Sequence, residues 1–164
     1  MPQDYSYYPI PIIINKYTIA LFAILIIAAF IYNQLYPHKI DEGKIRVELF
    51  RLINDYRVKN GRWSLKNGTS LTIYAEAWAD KLAQLGELVH SNPPSEYELW
   101  AENICLIYIE GKSEEEIALE AFEGWKNSPG HNRNMLLKNT KYMGIGVSIS
   151  GDKVIIVVQF ASSP

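Results

Sequence analysis

The run from Tyr17 to Pro37 constrains this chain most, because it carries no ionisable side chain other than tyrosine. Its centre, Ile19 to Tyr32, is almost wholly apolar. As a helix rising about 1.5 Å per residue, the run spans about 30 Å, the thickness of a bilayer's hydrocarbon core. Tyr17, Tyr32 and Tyr36 stand near its ends, where aromatic belts form, and Lys16 and Lys39 bracket it. The run is predicted to be one membrane-spanning helix that stays attached. A cleaved signal peptide fits less well. Little positive charge precedes the run, and Ala28-Ala29-Phe30 is a poor cleavage site. The predicted organisation is a tail over 1–16, an anchor over 17–37, a linker over 38–43 and one domain over 44–164.

That domain must be held by its core. The chain of 164 residues has one cysteine, Cys105, so no intrachain disulfide can form. About 120 residues suffice for a self-supporting core. The net charge of −2, with charged residues reading as interspersed, gives no reason to expect nucleic acid as a partner.

Hydrophobic spacing sets the elements. Ile45, Leu49, Leu52, Ile53 and Tyr56 recur at helical intervals, and Gly61 ends that helix. Leu71, Tyr74, Ala75, Trp78, Ala79 and Leu82 make a second stripe, capped by Thr69 or Ser70 at its start and by Gly86 at its end. Ile104 to Ile109 reads as a strand. Ser113 and Glu116 form a capping box for a third helix with Ile117, Ala121, Phe122 and Trp125 inside. Met143 to Ser150 and Lys153 to Ala161 read as a hairpin turning at Gly151-Asp152. Helices packed on a small antiparallel sheet give an α+β sandwich.

The stretch Trp125-Lys126-Asn127-Ser128-Pro129-Gly130-His131-Asn132-Arg133-Asn134-Met135-Leu136 carries the most chemistry. Ser128 is a good N-cap and Pro129 suits the first helical position, which makes His131 the third helical residue. The partial positive charge of a helix start disfavours imidazolium there. A neutral imidazole binds metal or accepts a proton. Elsewhere, His90 precedes the loop Ser91-Asn92-Pro93-Pro94, and Glu102 stands in a polar step before the apolar strand. These three residues could supply two nitrogens and one oxygen to a zinc-like ion, with a position left open. Asn103 and Asn134 are expected to tie down loop backbone. Gly144 and Gly146 are expected to allow close packing or a bulge in the strand rather than to bind phosphate. Cys105 reads as a small buried hydrophobe.

Five motifs occur in order: His90-Ser91, Ala101-Glu102-Asn103-Ile104, the 125–136 stretch, Tyr142-Met143-Gly144-Ile145-Gly146-Val147 and Val157-Val158-Gln159-Phe160-Ala161. In this order and spacing the chain, from about Glu42 on, resembles the CAP superfamily, or SCP domain family, in its prokaryotic branch. The resemblance implies an α-β-α sandwich with two histidines and two acidic residues around a central cleft. His90, Glu102 and His131 match three of those positions. Ser128 stands where many eukaryotic members carry the second acid, so any divalent cation such as zinc is expected to bind weakly.

Two function classes stay open. One is a binding module whose cleft holds a divalent cation, a lipid, a peptide, a glycan or another small molecule. The other is a metal- or His/Glu-assisted hydrolase of peptide or glycan, although no nucleophile elbow, HExxH pattern or carboxylate pair is present. A structural envelope or virion component is a further reading. Lys39, Lys44, Arg46 and Arg51 follow the apolar run, so a simple positive-inside count puts the domain in the cytoplasm. The resemblance implies the opposite face. Asn67-Gly68-Thr69, a glycosylation acceptor pattern, agrees with export. The expectation is a single-pass membrane protein with an extracellular domain.

Overall fold

A computed structural model of the chain describes residues 15–35, 39–92 and 100–163, with the side chains of the first helix described through Tyr32. The tail before Asn15, Tyr36, Pro37 and the loop residues Pro93-Pro94 lie outside the described residues. The chain divides into two units, Met1–Lys39 and Ile40–Pro164.

The first unit holds α1, Lys16–Leu35. Asn15 starts it, its Oδ1 accepting from the backbone N–H groups of Tyr17 at 2.9 Å and Thr18 at 3.1 Å. Apolar side chains stand exposed all round the helix, among them Ile19, Phe22, Ile26 and Phe30. Among the described residues no helix is long and apolar enough to cross a membrane.

The second unit runs α2 (Glu42–Lys59), β1 (Lys66–Asn67), α3 (Thr69–Leu85), β2 (Trp100–Tyr108), α4 (Glu114–Asn127), α5 (Pro129–Met135), β3 (Tyr142–Ser150) and β4 (Lys153–Ala161). It starts earlier than 44, because Ile40 is buried in the core and Asp41 caps α2. The sheet has the order β1-β3-β4-β2. It is mixed and not purely antiparallel: β2, β3 and β4 pair antiparallel, but the two-residue β1 pairs parallel with β3. So short a strand leaves no periodicity to read.

Alternation along the strands separates the two faces. Val154, Ile156, Val158 and Phe160 pack with Ile45, Leu49 and Ile53 of α2 and with α4. Ile104, Ile155 and Val157 pack with Ala75, Ala79 and Leu82 of α3. The result is an α-β-α sandwich with β2 at one edge. Gly144 and Gly146 let α3 settle onto β3. A Cβ at Gly144 would lie 2.3 Å from the backbone of Leu71, and one at Gly146 would lie 2.1 Å from Ala75 O. The Ser113–Glu116 capping box is formed. At α3 the N-cap is Gly68, with no side-chain cap bond, in place of Thr69 or Ser70; both hydroxyl residues lie inside the helix.

Candidate functional site

Strand β2 is longer than its apolar run. It begins at Trp100, so Glu102 and Asn103 lie inside the sheet, opposite Gln159 and Val158 of β4. This position buries Glu102, whose side chain is 1% exposed. A buried carboxylate needs donors, and four reach it. Oε1 accepts from the Ser91 N–H at 3.0 Å and meets His90 Nδ1 at 2.8 Å. Oε2 accepts from Ser91 Oγ at 2.7 Å and from Gln159 Nε2 at 3.0 Å. This donor set suits a carboxylate, so Nδ1 of a neutral His90 carries the hydrogen, and among the described residues Nε2 has no hydrogen-bond partner. The imidazole itself is 65% exposed.

The segment bearing His90 is held on both sides by α3. Trp78 Nε1 donates to Val89 O at 3.1 Å, and Tyr74 Oη donates to Asn92 O at 2.8 Å. Sequence reasoning places Tyr74 and Trp78 in an apolar stripe and names Ser91 and Gln159 only as members of motifs, with no role of their own. Gln159, a lone amide in the apolar run of β4, is the signal that could have found the support of the site; it is wholly buried.

His131 approaches from the other face. It sits in the first turn of α5, after Pro129 at the helix start. Ser128 occupies the N-cap position but makes no side-chain cap bond, so its expected capping role is not met. The helix is fixed by amides instead. Asn134 Nδ2 donates to Glu102 O at 3.1 Å and to Asn103 Oδ1 at 2.9 Å, and Asn103 Nδ2 donates to His131 O at 3.1 Å. Tyr56 Oη donates to Asn132 Oδ1 at 3.1 Å, tying α5 to α2. Burial holds the His131 imidazole below the ordinary histidine value, and the nearby charge of His90 lowers it further. Both causes disfavour the imidazolium form.

The structure thus joins His90 to Glu102 and places His131 within electrostatic reach of His90. It does not arrange the three as direct ligands. Among the described residues no three His, Cys, Asp or Glu side chains are placed to hold a metal ion. Both Glu102 oxygens are committed to hydrogen bonds, so Glu102 does not fit a ligand role. It fits the position behind a histidine, fixing its tautomer and orientation. Cys105 is half-buried against the core, and burial pushes its thiol pKa up, which disfavours the reactive thiolate.

An α-β-α sandwich with a histidine–carboxylate pair on its edge strand, and a second histidine delivered by a short helix, defines the class of protein. The chain belongs to the cysteine-rich secretory protein family, CAP, whose family model matches residues 50–160. Solved structures share the fold. An outer surface protein of Borrelia burgdorferi is 21% identical with a TM-score of 0.64, over 77% of this chain and 98% of that one. An extracellular SCP-domain protein of Bacillus anthracis is 20% identical with a TM-score of 0.59, over 73% of this chain and 41% of that one. NaASP2, solved with Zn2+, is 13% identical with a TM-score of 0.60, over 79% of this chain and 84% of that one. No curated protein matches the sequence closely enough to count as a relative.

Proposed function

We propose that the protein is a membrane-tethered, extracytoplasmic binding module whose ligand rests against His90 and His131. The observation that carries this reading is the buried Glu102, whose hydrogen-bonding capacity goes into orienting one exposed imidazole. A site preorganised in this way presents His90 Nε2 to a ligand at little entropic cost. Ser91 Oγ donates to Glu102 and not to His90, so the adjacent serine is a support for the carboxylate. A divalent cation would rest on the two imidazoles alone and bind weakly. The zinc in the NaASP2 structure supports zinc as the first probe. The same His90–Glu102 pair favours one second reading, a hydrolase in which His90 Nε2 takes a proton from water.

The tether is the run 17–37. A helix apolar all round is at home inside a protein or a bilayer, and the side chains of α1 are exposed. The outward topology draws on the relatives, one described as an outer surface protein and one as extracellular. Long domains cross membranes largely regardless of flanking charge.

Zinc titration by calorimetry on the full chain in neutral detergent tests the cleft. Wild type should bind weakly, and His90→Ala and His131→Ala should each abolish binding. Glu102→Gln should weaken it about 10–100-fold through loss of orientation. Two alanine variants that bind like wild type would reject the site. Fractionation and protease shaving of intact cells test the tether and its topology. A full chain soluble without detergent, or a domain cleaved only after lysis, would reject them.

A further inference from the structure

The even spread of charge expected from the whole-chain balance does not hold locally. Residues 56–75 and 124–151 contain no Asp or Glu, yet they hold eight of the chain's 16 Lys and Arg. The other eight face all 18 acidic residues.

The fold stitches these two segments together. Arg62 Nε donates to Leu136 O at 2.9 Å, and Lys66 N donates to Lys141 O at 2.9 Å. Lys66 pairs with Tyr142 across β1 and β3. Beneath them, Arg57 is buried and donates to the carbonyls of Trp63, Met135 and Leu137. Burial, with the charge of Arg62 adding to it, pulls the Arg57 pKa down to about 10. Lys59, Lys66, Lys138 and Lys141 are exposed, and among the described residues none of them makes an ion pair. By contrast Lys44, Arg46, Arg51, Lys112 and Lys126 are all paired with carboxylates. Lys59 is explained by its place in the last turn of α2, where a cation meets the helix dipole. Lys66, Lys138 and Lys141 have no such explanation. Trp63, whose carbonyl shares the Arg57 guanidinium with that of Leu137, is 90% exposed, the most exposed large hydrophobic side chain described.

We propose that this face is a second binding surface, separate from the His90 cleft, and that it takes an anionic glycan. Unpaired like charges repel one another and draw a polyanion. An indole left open among them offers a flat apolar face to a sugar ring, the use that exposed aromatics serve when one side must stay wet. Lys66, Lys138 and Lys141 are exposed at three places along the chain, which suits a repeating polymer better than a single small anion. The patch lies beyond the C-terminal end of α2, about 27 Å of helix away from its start at Glu42.

The test uses the full chain in neutral detergent, with heparin as the sulfated-glycan probe and calorimetry as the readout. Affinity should fall log-linearly with salt, as it does wherever counterions are released from a polyanion. The pair Lys66→Glu and Lys141→Glu should lose at least about tenfold in affinity at fixed salt, by removal and reversal of contacts of that kind. Lys81→Glu with Lys153→Glu makes the same change in net charge outside the patch and should stay within about twofold of wild type if the binding is local. Trp63→Ala should weaken heparin binding and leave binding of inorganic polyphosphate unchanged. Thermal melts of the variants should match wild type, since none of these side chains belongs to the core. The proposal is overturned if heparin fails to bind at physiological ionic strength or binds both double variants equally. It is equally overturned if Trp63→Ala leaves heparin affinity unchanged, or if duplex DNA or phosphatidylglycerol vesicles bind more tightly than heparin.

Discussion

Asn134 Nδ2 lies 3.1 Å from the carbonyl oxygen of Glu102. This contact joins the helix that carries His131 to the strand that carries Glu102. It also solves an edge problem. Among the described residues strand β2 pairs only with β4, so its outer carbonyls need donors from elsewhere. Asn134 serves Glu102 O, and Trp125 Nε1 serves Ile104 O at 3.4 Å. Asn134→Ala should cost about 1–3 kcal/mol, the penalty of leaving buried acceptors unpaired. Urea denaturation measures it, and a change under about 0.5 kcal/mol would mean that α5 is held without this amide.

Trp125 is buried in the core as well as bonded to the strand edge. Trp125→Ala should cost about 3–5 kcal/mol, the range for a large core aromatic. Trp125→Phe keeps most of the packing and drops the donor, so it should cost less. Equal losses would mean that the hydrogen bond matters more than the packing.

Two glycines should respond with opposite sign. A methyl at Gly146 meets the Ala75 carbonyl at 2.1 Å, a backbone atom that cannot move aside cheaply. Gly146→Ala should cost about 1–3 kcal/mol or more by overpacking. Gly124 lies on the exposed side of α4, and a Cβ there meets nothing within 4 Å. Gly124→Ala should stabilise by about 0.5–1 kcal/mol through helix propensity. Melting temperatures of the two variants give the comparison.

Much of this arrangement is legible in the chain because its signals are local. Helical spacing in α2 and α4, the Ser113 capping box and the hairpin turn at Gly151, with φ +63, follow from short-range rules and are present. The close packing at Gly144 and Gly146 is one of the two roles expected from sequence and is found, whereas Asn103 and Asn134, expected to tie down loop backbone, bond helix α5 to strand β2 instead. The support of the site is not local. Gln159 meets Glu102 across two strands, and Tyr74 and Trp78 reach a segment 11 or more residues away. Such contacts exist only once the sheet has set its register. The polar step at Glu102 reads as lying before the strand because charge in a strand is rare, yet a carboxylate with four donors is stable inside it. The apolar run and the basic face mark the two extremes: the run is plain in sequence, whereas the face needs Lys66 and Lys141 brought side by side.

His131 makes stability depend on pH. Its folded value lies below the ordinary one, by burial first and by His90 second. The unfolded chain therefore takes up the proton first, near its free value of about 6.5. The contribution of His131 is whole above that pH. It is lost as pH falls from there to the lower folded value, after which it levels off. His131→Asn should flatten the slope of melting temperature against pH, from about neutrality down through the free histidine value, relative to wild type. Parallel curves for the two proteins would show that His131 titrates alike in both states.

The last test asks which nitrogen of His90 faces outward. Glu102 Oε1 meets Nδ1 at 2.8 Å, and the carboxylate is itself held by Ser91 and Gln159. The neutral imidazole of wild type should therefore be the Nδ1–H tautomer, readable from its ring nitrogen-15 shifts at a pH where it is uncharged. Glu102→Gln replaces an acceptor pair by one acceptor and one NH2 group, so the preference should collapse to a mixture rich in the Nε2–H form. Tyr74→Phe keeps the carboxylate and removes only the bond to Asn92 O, so the tautomer should persist while the segment loosens. If wild type already shows the Nε2–H form, Glu102 does not orient His90, and the preorganised cleft loses its basis.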